Sequence, residues 1–241
     1  MTNTTDAAGM TTPARPALSP TPRSTVGRLN ERALLDRAAL DDVLDTGLIC
    51  HLGIVVDGAP LVLPTVYGRD GDTLYIHGST AARTLVHGAA GAPACITVTH
   101  LDGIIYARSA FRHSMNYRSA VVHGSLQRIE DRDDLLHALR VLCEHAAPGA
   151  WANVRPPSRK ELAATMVLAM DLTEASVKVR TGDPGDEPDE IAAGGVWAGV
   201  LPVHTGFGVP KPSDDLEAIP IPDYVLHRGP KVTPGVPDAG R

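Results

Sequence analysis

Short apolar runs broken by Gly, Asp and Pro set the pattern of this chain. Gly47 to Val56 is apolar and β-compatible, Asp57-Gly58 is a hairpin signal, and Leu61 to Tyr67 is the returning strand. Asp70-Gly71-Asp72 makes the next turn and Thr73 to His77 a third strand, which together predict an antiparallel meander. Pro64 interrupts the second strand, and a residue without an N–H marks an edge or a bulge. Ala94–His100 and Ile104–Ser109 read as a second hairpin around Leu101-Asp102-Gly103. Phe111 to Tyr117 reads as an irregular polar loop, and Arg118 to about Ile129 as the strand that follows. Met166–Asp171 and Ser176–Arg180 are the late strands that close the sheet.

Helical spacing appears between these runs. Glu31 to Asp45 carries Leu34, Leu35, Ala38, Leu40, Val43 and Leu44 as an apolar stripe, with Asn30 as N-cap and Gly47 as stop. Thr80 to Ala90 reads as a helix capped by Ser79 or Thr80. Glu130 to His145 has acids at its start, where the helix dipole favours them, and Asp131 or Asp133 as cap. Ser158 and Glu161 fit a capping box. Thr181 to Glu190, acidic and rich in Gly and Pro, reads as a loop. The fold class expected is mainly β with α (α+β). Residues 1–25, rich in Thr, Pro, Ala and Ser, are expected to form a flexible tail, 26–204 one domain, and 205–241 a proline-rich extension wrapping it.

Composition narrows the function. The chain has 241 residues, 43% of them hydrophobic but only 4% aromatic, so one aliphatic core is expected. A net charge of -6 and the lack of a basic tract speak against nucleic acid. No apolar run is long enough to span a bilayer, and no apolar signal core opens the chain, so a cytoplasmic location is expected. Cys50, Cys95 and Cys143 fit no zinc or redox spacing and read as buried free thiols. The ten His show no metal pattern, and neither a GxGxxG fingerprint nor a P-loop occurs.

Leu74 to Gly124 carries the chemistry. It opens with Leu74-Tyr75-Ile76-His77-Gly78-Ser79 and Arg83, and closes with His113-Ser114-Met115-Asn116-Tyr117-Arg118-Ser119. Strand ends rich in hydroxyls and Arg suit an anion, because hydroxyls donate and a guanidinium adds a bidentate charge. They equally suit a well-capped sheet. Arg83 in the first turn of a helix opposes the helix dipole, and a nearby anion would explain its placement.

In order and spacing these segments, with Ala107-Arg108-Ser109 between them, resemble the pyridoxamine 5'-phosphate oxidase-related superfamily. The resemblance is closest to its flavin-nucleotide-binding branch, which includes nitroimidazole-resistance proteins, and runs from about Leu29 to about Tyr224. It implies an FMN-binding split β-barrel with peripheral helices, and a homodimer with the cofactor at the subunit interface. Pro64, Thr65 and Val66 would then border the flavin ring, Ser79 and Arg83 its phosphate, and Arg118 and Ser119 the cofactor's surroundings. Trp197, in Gly195-Val-Trp-Ala-Gly-Val-Leu-Pro202, would flank the flavin pocket or anchor the tail. His77 aligns with a histidine near the flavin of nitroimidazole-resistance proteins; it could donate a proton to a reduced substrate or simply bond to backbone. His113 is a second catalytic candidate. Arg83 is followed by Thr84 where true pyridoxamine-phosphate oxidases carry an Arg-Lys pair, which speaks against that substrate. The function implied is an FMN-dependent oxidoreductase acting on a small organic molecule, with NADH or NADPH as reductant. The alternatives are a haem-binding or haem-degrading protein on the same barrel, and a non-catalytic flavin-binding protein.

Overall fold

The computed structural model describes residues 17–19, 21–216 and 219–228. In chain order the elements are β1 (Ala33–Leu34), α1 (Arg37–Thr46), β2 (Ile49–Val56), β3 (Ala59–Asp70), β4 (Thr73–Ser79), α2 (Arg83–Ala89), β5 (Pro93–Tyr106), β6 (Ser114–Ser125) and β7 (Gln127–Arg128). They continue with α3 (Arg132–Ala146), α4 (Arg159–Ala164), β8 (Thr165–Asp171), β9 (Ala175–Arg180), α5 (Pro188–Ala193), β10 (Gly199–Pro202) and α6 (Asp223–Leu226). The strands pair antiparallel in the order β1-β9-β6-β5-β2-β3-β4-β8-β7, with β10 added to β5. The first half of β3 pairs with β2 and its second half with β4, so one long strand joins two sheet halves. Both halves close over an aliphatic core that includes Leu52, Ile76, Ile96, Val122, Leu168 and Val177. This is the mainly β, α+β split barrel.

Local signals account for much of it. Asp57 and Gly58 both take positive φ (50° and 79°) and make the two-residue hairpin turn. Gly71 (φ 55°) turns β3 into β4. Asp131 accepts from the backbone N–H groups of Asp133 and Asp134 and starts α3, and the capping box of Ser158 and Glu161 starts α4.

Tertiary context overrode other expectations. Residues 30–32 form a separate 3-10 turn, and α1 begins only after Asp36, which accepts from the Ala38 N–H; Asn30 is not its cap. The expected helix from Thr80 starts at Arg83 with Ala82 as N-cap, while Ser79 accepts from the Ala81 N–H. Leu101-Asp102-Gly103 is not a hairpin tip. β5 runs on as one 14-residue strand with a bulge between Leu101 and Gly103, because β6 and β10 pair with it on either side. The expected polar loop is a 3-10 turn (Ala110–Arg112) followed by the start of β6 at Ser114. The acidic loop gains α5, opened by Pro188 in its first turn.

Of the expected N-terminal tail, residues 17–19 and 21–25 are held against the barrel: Leu18 is buried, the Ser19 N–H donates to the Ala175 carbonyl at 2.7 Å, and Arg23 pairs with Glu174. Residues 1–16 of that tail, and the part of the expected C-terminal extension beyond residue 228, lie outside the described residues. Among the described residues, no helix is long and apolar enough to cross a membrane.

Candidate functional site

Strand alternation decides which candidates share a face. Cys50, Leu52 and Ile54 of β2 are buried, so Ile49, His51 and Val55 point outward. Their register partners on β3 are Val66, Pro64 and Pro60, which share that outer face. Thr65 pairs with buried Cys50 and belongs to the opposite side. His51 pairs in turn with Thr97 on β5, and Thr97 and Thr99 pair with Val121 and Ser119 on β6. Pro64, Val66 and Ser119 thus line one continuous outer face, with β3 and β6 three strand spacings, about 14 Å, apart. The face is apolar and open: Ile49, Val55, Val62, Leu101 and Met115 are all exposed. The Ser119 hydroxyl donates to the Lys178 carbonyl at 3.3 Å.

Arg118 has the opposite parity. It is buried in the inward row with Asn116, Ala120 and Val122. Its Nε and Nη2 donate to the Asp102 carboxylate at 3.1 and 3.2 Å, and its Nη1 to Asp42 on α1 at 3.0 Å. The β5 bulge turns Asp102 toward it. Arg118 therefore ties α1 to the bulge, and its guanidinium is held by two carboxylates.

At the opposite end of the barrel, the Arg83 guanidinium pairs with Asp57 in the β2–β3 turn and remains 68% exposed. His87 approaches the same carboxylate at 3.5 Å. Ser79 ends β4 in an exposed position. His77, two residues earlier, is exposed on one side, yet its surroundings desolvate the ring enough to lower its pKa from 6.5.

His113 and Trp197 come together at a third place. β5, β6 and β10 lie side by side there, and Gly199 pairs with Tyr106. Tyr106 meets His113 edge-on at 5.9 Å between ring centroids and Trp197 at 5.8 Å. The Trp197 ring lies over Gly199, where a Cβ would come within 3.0 Å of it. The chain after β9 is pinned here by Arg108–Asp186 at 2.6 Å, by Arg112–Glu187 and by Arg180 to Asn116 at 2.6 Å. Tyr106, Asp57 and Asp102 were not singled out from the sequence for these roles. Asp57 and Asp102 read there only as turn residues, and Tyr106 only as part of the strand Ile104–Ser109.

Within the chain the candidates thus form three groups rather than one cavity. A polar open cleft lined by Tyr75, His123, Asp134, His137 and Glu174 lies apart from all of them. Among the described residues, no group of His, Cys, Asp and Glu could hold a metal ion by itself. Burial pushes the Cys50 thiol up to about 12, so it stays protonated and inert.

The family profile described as pyridoxamine 5'-phosphate oxidase matches residues 36–179. No curated protein sequence matches the chain. A solved structure of an FAD and haem binding protein from Mycobacterium smegmatis is 42% identical over 81% of this chain and 96% of its own, with a TM-score of 0.78. The flavocytochrome Anf3 from Azotobacter vinelandii is 35% identical over 87% of this chain and 97% of its own, with a TM-score of 0.82. A Bacteroides thetaiotaomicron protein assigned to 5-nitroimidazole antibiotic resistance shares the fold at 23% identity over 61% of this chain and 86% of its own, with a TM-score of 0.54. With a profile spanning more than half its length and two relatives above 30% identity, this chain belongs to the pyridoxamine 5'-phosphate oxidase family.

Proposed function

We propose that this chain is a flavin-nucleotide-binding oxidoreductase, with the cofactor along the outer face of the sheet. The observation that carries this reading is the 42% identical relative described as binding FAD and haem. That name favours FAD over the FMN implied by the sequence resemblance. The residues present fit a flavin nucleotide by their chemistry. Ser79 offers a hydroxyl and Arg83 a guanidinium to phosphate, while Pro64 and Val66 offer an apolar wall to the ring. Asp57 occupies Arg83 and would yield to a phosphate. Arg118, held by Asp42 and Asp102, positions β6 rather than binding the anion.

When bound, the flavin supplies hydride or electron transfer to a small organic substrate, and NADH or NADPH is the proposed reductant. His77, its pKa lowered by burial, is a neutral imidazole at pH 7, suited to accept a proton or donate a hydrogen bond. The open apolar face, with Val62 63% exposed, supports a homodimer that covers both face and cofactor. A second reading adds haem to the flavin. It is favoured by the same two relatives and by the aromatic surface beside His113.

The test is to incubate the purified chain with FAD and with FMN, remove the excess, release what is bound by heat and identify it chromatographically. Released FAD supports the proposal, released FMN shifts it to that nucleotide, and a chain that retains neither overturns it.

A further inference from the structure

We infer that His113 would hold the iron of a haem seated on the Tyr106–Trp197 surface, an inference that rests on the haem reading above. The first argument is the tautomer. His113 Nδ1 lies 3.0 Å from the Ser109 carbonyl oxygen, which can only accept. Nδ1 therefore carries the proton, and Nε2 presents its lone pair outward, as a metal-bound imidazole requires.

Elimination among the other nine histidines is the second argument. His87 and His137 point Nε2 at Asp57 and Asp70, and His100 and His145 point Nε2 at the carbonyls of Val43 and Gly47. His227 shares the Nδ1–carbonyl arrangement, but no aromatic ring packs against it among the described residues. His51, His77, His123 and His204 have no ring nitrogen fixed by a hydrogen bond among the described residues.

The third argument is the surface. His113 projects from a patch of large side chains that water should not favour: Phe111 is 90% exposed, Trp197 68%, Met115 53% and Leu201 50%. Register puts Met115, Ile104 and Leu201 on one row and His113 beside Tyr106 and Gly199 on the next. A planar apolar macrocycle would cover this patch, and the bare Cα of Gly199 leaves room for the Trp197 ring to lie flat against it. A peptide or lipid could cover apolar surface too, but neither needs an oriented imidazole in its midst.

The experiment titrates the full-length protein with haemin and follows the Soret band and the low-temperature EPR spectrum, with flavin absorbance read separately. Wild type should bind haemin with a shifted, sharpened Soret band. H113Q, which can still donate to the Ser109 carbonyl, should weaken binding at least tenfold while flavin uptake is unchanged. H113G should regain the wild-type spectrum on addition of imidazole, and H137A, at a histidine paired with Asp70 away from this surface, should bind haemin as wild type does. Wild type that binds no haemin, or H113Q and H113G with unaltered Soret band and affinity, overturns the inference. Haem uptake without flavin uptake would overturn the flavin reading and leave this one standing.

Discussion

The hydroxyl of fully buried Tyr67 donates to the Leu44 carbonyl at 2.5 Å, directly beside Gly47 at the end of α1. A Cβ on Gly47 would stand 2.5 Å from that hydroxyl oxygen and 2.6 Å from Val98 Cγ1. Both contacts involve packed side chains with little room to yield. G47A should therefore destabilise the fold by about 1–3 kcal/mol as an overpacking change. Y67F should cost roughly 1–2 kcal/mol, since it leaves a buried carbonyl without its donor. Urea denaturation of the two variants reads this; unchanged midpoints would mean that α1 is not locked here.

Arg118 and Arg83 should behave differently. Arg118 is buried between Asp42 and Asp102, whose side chains are 40% and 15% exposed. R118A leaves those carboxylates without their cation and should lower stability by about 1–3 kcal/mol, below the loss seen for fully buried pairs because Asp42 is partly solvated. Flavin dissociation should change less than in R83A. Calorimetry beside flavin titration separates the two; a stable R118A with lost flavin binding would move the phosphate site to β6.

The pairing of Arg83 with Asp57 predicts competition. R83A should weaken flavin-nucleotide binding by about 1.5–3 kcal/mol, the scale of a charge-assisted hydrogen bond. D57N, which frees the guanidinium, should leave affinity equal or tighter. Fluorescence titration checks both, and weaker binding in D57N would mean that the carboxylate itself supports the site.

Acid should loosen the segment around Arg23. The Arg23 guanidinium and Thr21 hydroxyl hold Glu174 well below the usual carboxylate range, at about 2. A depressed carboxylate stabilises the fold above its unfolded value near 4.5 and loses that contribution as pH falls toward 2. E174Q should flatten the melting temperature's dependence on pH across that window. An unchanged profile would remove Glu174 as its source.

His77 predicts a second, milder acid effect. Burial lowers its pKa below 6.5, so the unfolded chain binds the proton more readily. Stability linked to this group is present above pH 6.5 and declines as pH falls. H77N should reduce the slope of melting temperature with pH just below that value. A slope equal to wild type would show that the ring is solvated in the folded protein.

What the sequence by itself determined lies within a few residues of each signal. Asp57-Gly58 demands positive φ whatever surrounds it, Ser158 and Glu161 cap each other three residues apart, and Gly47 stops α1 where expected. The order of motifs from Leu74 to Ser119 carried the family as well. Only the tertiary structure decided how Leu101-Asp102-Gly103 would be used. The same residues suit a turn or a bulge, and the choice fell to the bulge because β10, almost a hundred residues on, pairs with the second half of β5. That bulge turns Asp102 onto Arg118, whose other partner, Asp42, lies on α1. A cation at the start of a strand therefore read as an anion site until its carboxylates were in view. Trp197 and His113 both met Tyr106 for the same reason. Side chains distant in sequence become neighbours only through strand register, and register is set by the whole sheet rather than by any local pattern.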